Sequence, residues 1–377
     1  MKNKKLWYLV GATLLVFCSA VIGLNCTGKS GTIKVGAILP LTGPTSDIGE
    51  WQRKGIEAAQ AEINENGGVS GRKIEVSFED SKGQAKDGVT AFGKLADVDK
   101  VPVIISALSS VANAVVPLTL KSRIPTMLIA VSYPGITKQS EWVVRDHPGS
   151  DDEALIMGDF MMHALKLKNI VALYCNDDFG IGSFEALKST LQTYGGNIVW
   201  SDSYTLDQGD FKNIAAKAKS YNPEGIYIIG YTKAGVLLAK QLRELGYKGI
   251  LAAPMAMSIP AFIALSAGSL EGAYFTSPAF SLDSQEPAAR AFIERFHKMY
   301  NSDPNVFAGF AYDGMMMVAT AMKNKGYSAQ EIKDGLMELK DYPGAMGTLS
   351  VRSDRNIKFP LSIVKLDKGK LSPANVR

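Results

Sequence analysis

The residues best suited to chemistry are sparse and badly spaced for catalysis. His147, His163 and His297 are dispersed, with no Cys/His spacing, no HExxH pair and no calcium-binding loop. That argues against a metal site. Asp177-Asp178 precedes Gly180 and Gly182. Two carboxylates could serve an acid–base or metal centre, but a solvated strand-to-helix turn with a capping acid is the simpler reading. Gly180 and Gly182 lack the third glycine of a dinucleotide fingerprint, and neither a phosphate loop nor a GxSxG elbow occurs. Cys175 ends an apolar run and reads as a buried, inert thiol. No nucleophile–base pair supports an enzyme, and no motif calls for a cofactor. What remains is a set of hydroxyls and aromatics at the ends of apolar runs: Leu108-Ser109-Ser110, Ala130-Val131-Ser132-Tyr133 and Tyr231. Serine hydroxyls beside helix N-termini suit a carboxylate.

Those residues need strands that end where helices begin, and the hydrophobic pattern supplies them. Apolar runs at 33–39, 73–78, 101–107 and 125–131 alternate with helical stretches, one capped by Ser46 and Asp47 and ended by Gly67-Gly68, the others at about 85–96 and 113–121. The pattern restarts after His147. Strands are expected at 170–174, 197–201, 225–229, 249–253 and 272–277, with helices at 154–167, 182–194, 211–220 and 233–245. This is an α/β chain of two doubly wound parallel-sheet lobes. Three helices follow, at 288–300, 306–323 and 329–339, and then 347–352 and 360–366 read as an antiparallel pair turning at 353–356. The expected division is 32–147 plus about 279–347 for the first lobe and 148–278 plus about 348–377 for the second. Repeated crossings would form a multi-strand hinge, which permits closure on a ligand. In such sheets ligands bind beyond the carboxyl ends of the strands, where the hydroxyls cluster.

The N-terminus reads as an export leader. Lys2, Lys4 and Lys5 precede an apolar run from Leu6 to Leu24, and residues 1–25 are assigned to a signal peptide. Cys26 follows in the layout of a lipoprotein, although Gly23-Leu24-Asn25 is a poor lipidation signature; ordinary cleavage is the other reading. The full chain carries +4, and removing three lysines and no acid leaves +1. With no dense basic block, nucleic acid is excluded as a partner.

Several segments together resemble one family, the leucine/isoleucine/valine-binding branch of the type I periplasmic binding proteins. They are Ile33-Lys34-Val35-Gly36 with Leu41-Thr42-Gly43-Pro44, Gly55-Ile56-Glu57-Ala58-Ala59, and Ile63-Asn64 with Gly67-Gly68-Val69-Ser70-Gly71-Arg72. Glu79-Asp80-Ser81, Pro125, Arg145 and Ala311-Tyr312-Asp313 match as well. The resemblance implies a monomeric, non-enzymatic solute-binding protein in the periplasm or on the extracytoplasmic membrane surface, free or tethered through Cys26, delivering an amino acid or small carboxylate to an ABC permease. A sensory module docking to a membrane receptor is the rival reading.

The resemblance also implies a pocket. Ser109, with Ser110 beside it, would bind the ligand carboxylate; Ala130 and Ser132 would add contacts after the fourth strand. Phe179 and Tyr231 would supply aromatics from the second lobe, and Trp51 and Ile48 a side-chain wall. Met255 stands where amino-acid binders place an acid for the ligand's ammonium. The other acid expected near the crossover falls on Ser150, with Asp151 or Asp152 as substitutes. An unpaired buried ammonium costs several kcal/mol. Either Asp151, Asp152 or cation–π contacts serve it, or the ligand is an aromatic or aliphatic carboxylate without an α-amine.

Overall fold

The computed structural model describes residues 31–374. The leader at 1–25, Cys18 and Cys26 lie outside the described residues. Two sheets form. The first is all parallel, in the order β2-β1-β3-β4-β5: β1 Ile33–Leu39, β2 Ile74–Asp80, β3 Ile104–Ala107, β4 Thr126–Ile129 and β5 Val143–Asp146. β1 is central and buried at six of its seven positions, which is why it reads as an unbroken apolar run rather than an alternating one. The second sheet runs β14-β13-β10-β9-β8-β6-β7. Its parallel strands are β6 Asn169–Cys175, β7 Asn197–Tyr204, β8 Gly225–Ile229, β9 Ile250–Ala253 and β10 Tyr274–Pro278. β13 (Leu361–Asp367) and β14 (Lys370–Pro373) close its edge antiparallel.

Helices cover the sheets. In chain order they are α1 Ser46–Glu65, α2 Ala85–Gly93, α3 Ser109–Ser122, α4 Ser150–Asp159, α5 Asp178–Thr193, α6 Lys212–Ser220, α7 Lys233–Glu244, α8 Pro260–Leu265, α9 Pro287–Tyr300, α10 Val306–Lys325 and α11 Ala329–Met337. α2 and α4 each continue into a π-helical turn, at Lys94–Val98 and Phe160–Ala164. α10 is buried almost along its length and packs on α1, so the late helices belong with the first sheet. The chain therefore changes sheet three times: after Asp146, after Pro278 and before Leu361. Among the described residues, no helix is long and apolar enough to cross a membrane.

Three features differ from expectation. β5 was not anticipated, being four residues long and ending in Arg145-Asp146. α3 begins at Ser109 rather than near 113, which makes Ser109 the first residue of a helix. The expected antiparallel pair of 347–352 with 360–366 does not form. Instead β12 (Gly347–Leu349) pairs with β11 (Tyr342–Gly344), and 361–367 joins β10 and β14. Residues 352–356 do turn, but the turn lies against β5: the Arg145 N–H donates to the Arg355 carbonyl at 2.9 Å, and the Ile357 N–H to the Arg145 carbonyl at 3.0 Å. Alternation marks a strand without naming its partner.

Candidate functional site

Each sheet has a point where successive strands leave in opposite directions, between β1 and β3 in the first and between β6 and β8 in the second. Crevices form at the carboxyl ends there. The two crevices face each other and make one pocket. Ile48, Leu108, Ser109, Ala130, Ser132 and Phe307 line it from the first sheet's side, and Phe179, Tyr231, Met255 and Ala256 from the second's. His147 and Glu153 line it from the crossover.

On the first side two non-glycine residues adopt left-handed backbone. Leu108, after β3, has φ +70°, and Ala130, after β4, has φ +49°. Each conformation costs on the order of 1–3 kcal/mol and persists only where surrounding structure enforces it. Together they turn the backbone into the pocket. Ser109 Oγ accepts the Ser132 N–H at 3.2 Å, so the two serines are locked side by side. The Ser132 carbonyl in turn accepts the Ser150 N–H at 2.9 Å and its hydroxyl at 3.0 Å, tying the start of α4 to the end of β4. Both pocket serines are about 3% exposed. A shared electrostatic bias comes from the helices: Ile48, Ser109, Glu153, Phe179 and Phe307 all lie in the first turn or so of α1, α3, α4, α5 and α10. Five N-termini meet at the pocket, each with a partial positive charge, although caps already take some of their N–H groups, such as Gly180 to Asp177 and Phe307 and Ala308 to Asn305. The field favours an anion.

On the second side Asp177 caps α5, its carboxylate accepting the Gly180 N–H at 2.8 Å. The capping role is as read from the sequence, but the carboxylate is half-buried rather than solvated, and burial pushes its pKa up. It also accepts the Tyr231 hydroxyl. That bond sets the Tyr231 ring, which meets Phe179 edge-on with centroids 5.0 Å apart. Gly180 is required by the turn: a Cβ there would sit 1.8 Å from the Cys175 carbonyl oxygen. Cys175 itself is fully buried, and burial raises its thiol well above the ordinary value. Such a thiol is no nucleophile.

Several residues of the pocket were not anticipated, among them Ala256, Phe307 and two titratable groups, Glu153 and His147. Glu153 is 3% exposed, and burial pushes its carboxyl up. Its Oε2 accepts the Met255 N–H at 3.0 Å and the Thr276 hydroxyl. His147 is 4% exposed, and burial drives its pKa down to about 3. Its Nδ1 lies 2.9 Å from the Pro148 carbonyl and 3.4 Å from Ser132 Oγ, and its ring packs on Phe310. The acid near the crossover is thus neither Asp151 nor Asp152, both of which are exposed. Asp152 Oδ2 accepts the Gly149 N–H instead. An acid three residues into a helix that starts at the pocket was the available signal.

Two expected residues fall elsewhere. Trp51 is on α1 but points away from the pocket, stacking on Phe296 at 5.8 Å with Lys54 over its ring. Ser110 lies outside the inner pocket, in the cleft mouth beside Asp177, Asp178 and Tyr231. The helical rotation from Ser109 to Ser110 turns the second hydroxyl outward. The lobes meet at this mouth. Gly182 of α5 packs on Tyr133 and Pro134, and Lys233 pairs with Asp47 at 2.9 Å.

The sequence matches, over residues 32–370, the model of a family described as periplasmic binding protein. Leu/Ile/Val-binding protein homolog 3 of Brucella melitensis is 26% identical over 344 residues, 90% of this chain and 92% of its own length. Among solved structures, the branched-chain amino acid transporter substrate-binding protein LivJ of Streptococcus pneumoniae, in complex with isoleucine, superposes with a TM-score of 0.84 at 26% identity. That match covers 92% of this chain and 99% of that one. An ABC transporter solute-binding protein of R. palustris, in complex with benzoate, also reaches 0.84, at 20% identity and covering 92% and 96%. At that identity the likeness speaks for the fold alone.

Proposed function

This chain belongs to the periplasmic binding protein family, and on that premise we propose that it is the solute-binding component of an ABC importer, holding a branched-chain amino acid or related small carboxylate between two closing lobes. The names of its relatives support the class of ligand, since they bind leucine, isoleucine and valine. The observation that carries the reading is the convergence of five helix N-termini on the serine pair Ser109 and Ser132, inside walls made by Ile48, Leu108, Phe179, Met255 and Phe307. A carboxylate finds N–H and O–H donors there, and an aliphatic side chain finds a dry surface.

The importer role places the protein outside the cytoplasmic membrane, released from its leader or held through Cys26, where it hands the ligand to a permease as a monomer. The three chain crossings beneath the pocket act as the hinge, between a first lobe of residues 32–147 and about 279–347 and a second of 148–278 and about 348–377; we extend the first lobe's late segment to about 357, because Arg355 and Ile357 bond to Arg145 of β5. Tyr231 belongs to both the pocket and its mouth, so closure seals the ligand at that ring.

Calorimetry on the chain without its leader, titrated with L-leucine, L-isoleucine and L-valine, tests the reading. A Ser hydroxyl bonded to a charged oxygen contributes about 1.5–3 kcal/mol, so Ser109→Ala should weaken the tightest of them roughly tenfold or more. Equal affinity in Ser109→Ala would place the carboxylate elsewhere.

A further inference from the structure

The pocket holds two acceptor atoms whose partners are missing. The first is His147 Nε2, buried and without a hydrogen-bond partner among the described residues. Its protonation follows from the other nitrogen. Nδ1 lies 2.9 Å from the Pro148 carbonyl, which can only accept, so Nδ1 carries the proton. The neutral ring then leaves Nε2 as a bare lone pair. The second is Glu153 Oε1, which makes no hydrogen bond among the described residues while Oε2 takes the Met255 N–H and the Thr276 hydroxyl.

Glu153 is built to be an anion. Two donors converge on one of its oxygens, and it stands in the first turn of α4, where the helix field favours negative charge. Burial opposes ionisation, and so does the nearby Asp152 charge. The other groups felt by this carboxyl do not supply a positive charge. Asp152 on the same helix is an acid, Tyr227 faces it from β8 with its own pKa raised by burial, and His147 is held neutral. No lysine or arginine lines the pocket. The missing cation must arrive with the ligand.

We propose that Glu153 and His147 form an amine-reading subsite, so that the ligand is an α-amino acid whose ammonium lies against Glu153 Oε1 and His147 Nε2. This inference rests on the reading of the pocket as a solute site and narrows it to solutes with a protonated amine. It also explains Met255. The acid is delivered not from the Met255 side chain but from α4, and the Met255 backbone N–H orients it. Des-amino carboxylates of the same shape leave both acceptors dry and unpaired, so the pocket rejects them.

The test compares L-leucine with 4-methylpentanoate, its skeleton without the amine, and with benzoate, by calorimetry on the unmutated chain lacking its leader. L-leucine should bind roughly thirtyfold or more tighter than either, the scale set by leaving a buried charged group unpaired. Glu153→Gln keeps the shape and removes the charge. It should lower leucine affinity by about the same factor while leaving 4-methylpentanoate unchanged or improved. His147→Leu should weaken leucine about tenfold. Tight binding of 4-methylpentanoate or benzoate by the unmutated chain overturns the inference but leaves the carboxylate pocket standing. Undiminished leucine binding by Glu153→Gln overturns it too. If L-leucine, L-isoleucine, L-valine and the des-amino acids all fail to bind, the solute-site reading falls and the inference with it. The probe comparison on unmutated protein decides the matter even if a variant folds poorly.

Discussion

Adding one methyl group at Gly182 should separate ligand affinity from stability. Gly182 sits inside α5 on the second lobe and faces Tyr133 and Pro134 of the first. A Cβ there would lie 2.9 Å from Pro134 Cδ and 3.1 Å from Tyr133 Cδ2, against an ordinary contact of 3.4 Å or more. The neighbours cannot easily yield. The proline ring is rigid, and Tyr133 packs on the small buried cluster that includes Val116, Val131 and Ile136. Overpacking of this kind costs about 1–3 kcal/mol. The cost falls only on the state in which the lobes touch, so Gly182→Ala should weaken L-leucine binding roughly five- to hundredfold without touching the ligand. With the lobes apart the same change replaces a helix glycine by alanine, which is worth about 1 kcal/mol in favour of the fold. The ligand-free variant should therefore melt no lower than the parent, and up to about 2 °C higher. Calorimetry gives the affinity, scanning calorimetry the melting temperature, and small-angle scattering the radius of gyration at saturating leucine. Parental affinity together with a parental radius would refute closure through this contact. A fall in both affinity and melting temperature would mean that Gly182 matters to the fold rather than to closure.

Two further outcomes follow from buried groups. Asp146 and Asp313 are both fully buried; Asp313 accepts the Ala345 and Met346 N–H groups, while neither oxygen of Asp146 has a partner among the described residues. Burial raises both carboxyls, Asp313 to about 7, so the folded chain holds protons that the unfolded chain has lost; stability is full below the ordinary carboxyl range and declines as pH rises toward 7. Urea melts between pH 5 and 8 should show that slope, and Asp146→Asn should flatten it; an equal slope in the variant would contradict the assignment. Cys175 should resist iodoacetamide in native protein and react fully in guanidinium, read by peptide mass; native labelling at the rate of an exposed thiol would contradict its burial.

Most of the fold was legible because its strands are apolar runs bounded by glycine and proline, and its helices keep their period. β8 matches the expected 225–229 residue for residue. Where tertiary partners decide, the sequence was silent. β5 shows only Val143-Val144 as a signal, and its place beside β4 comes from parallel pairing. Ser109 and Ser132 stood out because hydroxyls cluster at several strand ends and because the family resemblance points to those positions, and both line the pocket. Trp51 could not, since its direction depends on Phe296, far along the chain. Glu153 escaped because the acid was sought at positions fixed by resemblance. An acid swung in from a neighbouring helix start leaves no trace at those positions, only a buried side chain where an exposed one would be normal.

The interleaving of the two sheets has a consequence for how the chain is made. α1 at residues 46–65 finds its main packing partner in α10 at 306–325, and the second sheet lacks its edge until β13 and β14 have emerged. Neither lobe can finish folding until nearly the whole chain is available, so native structure arrives late and through contacts of very long sequence separation. A polypeptide with that order of assembly completes its ligand pocket only once α10, which carries Phe307, has emerged, and a late finish of that kind suits passage through a threading translocation channel.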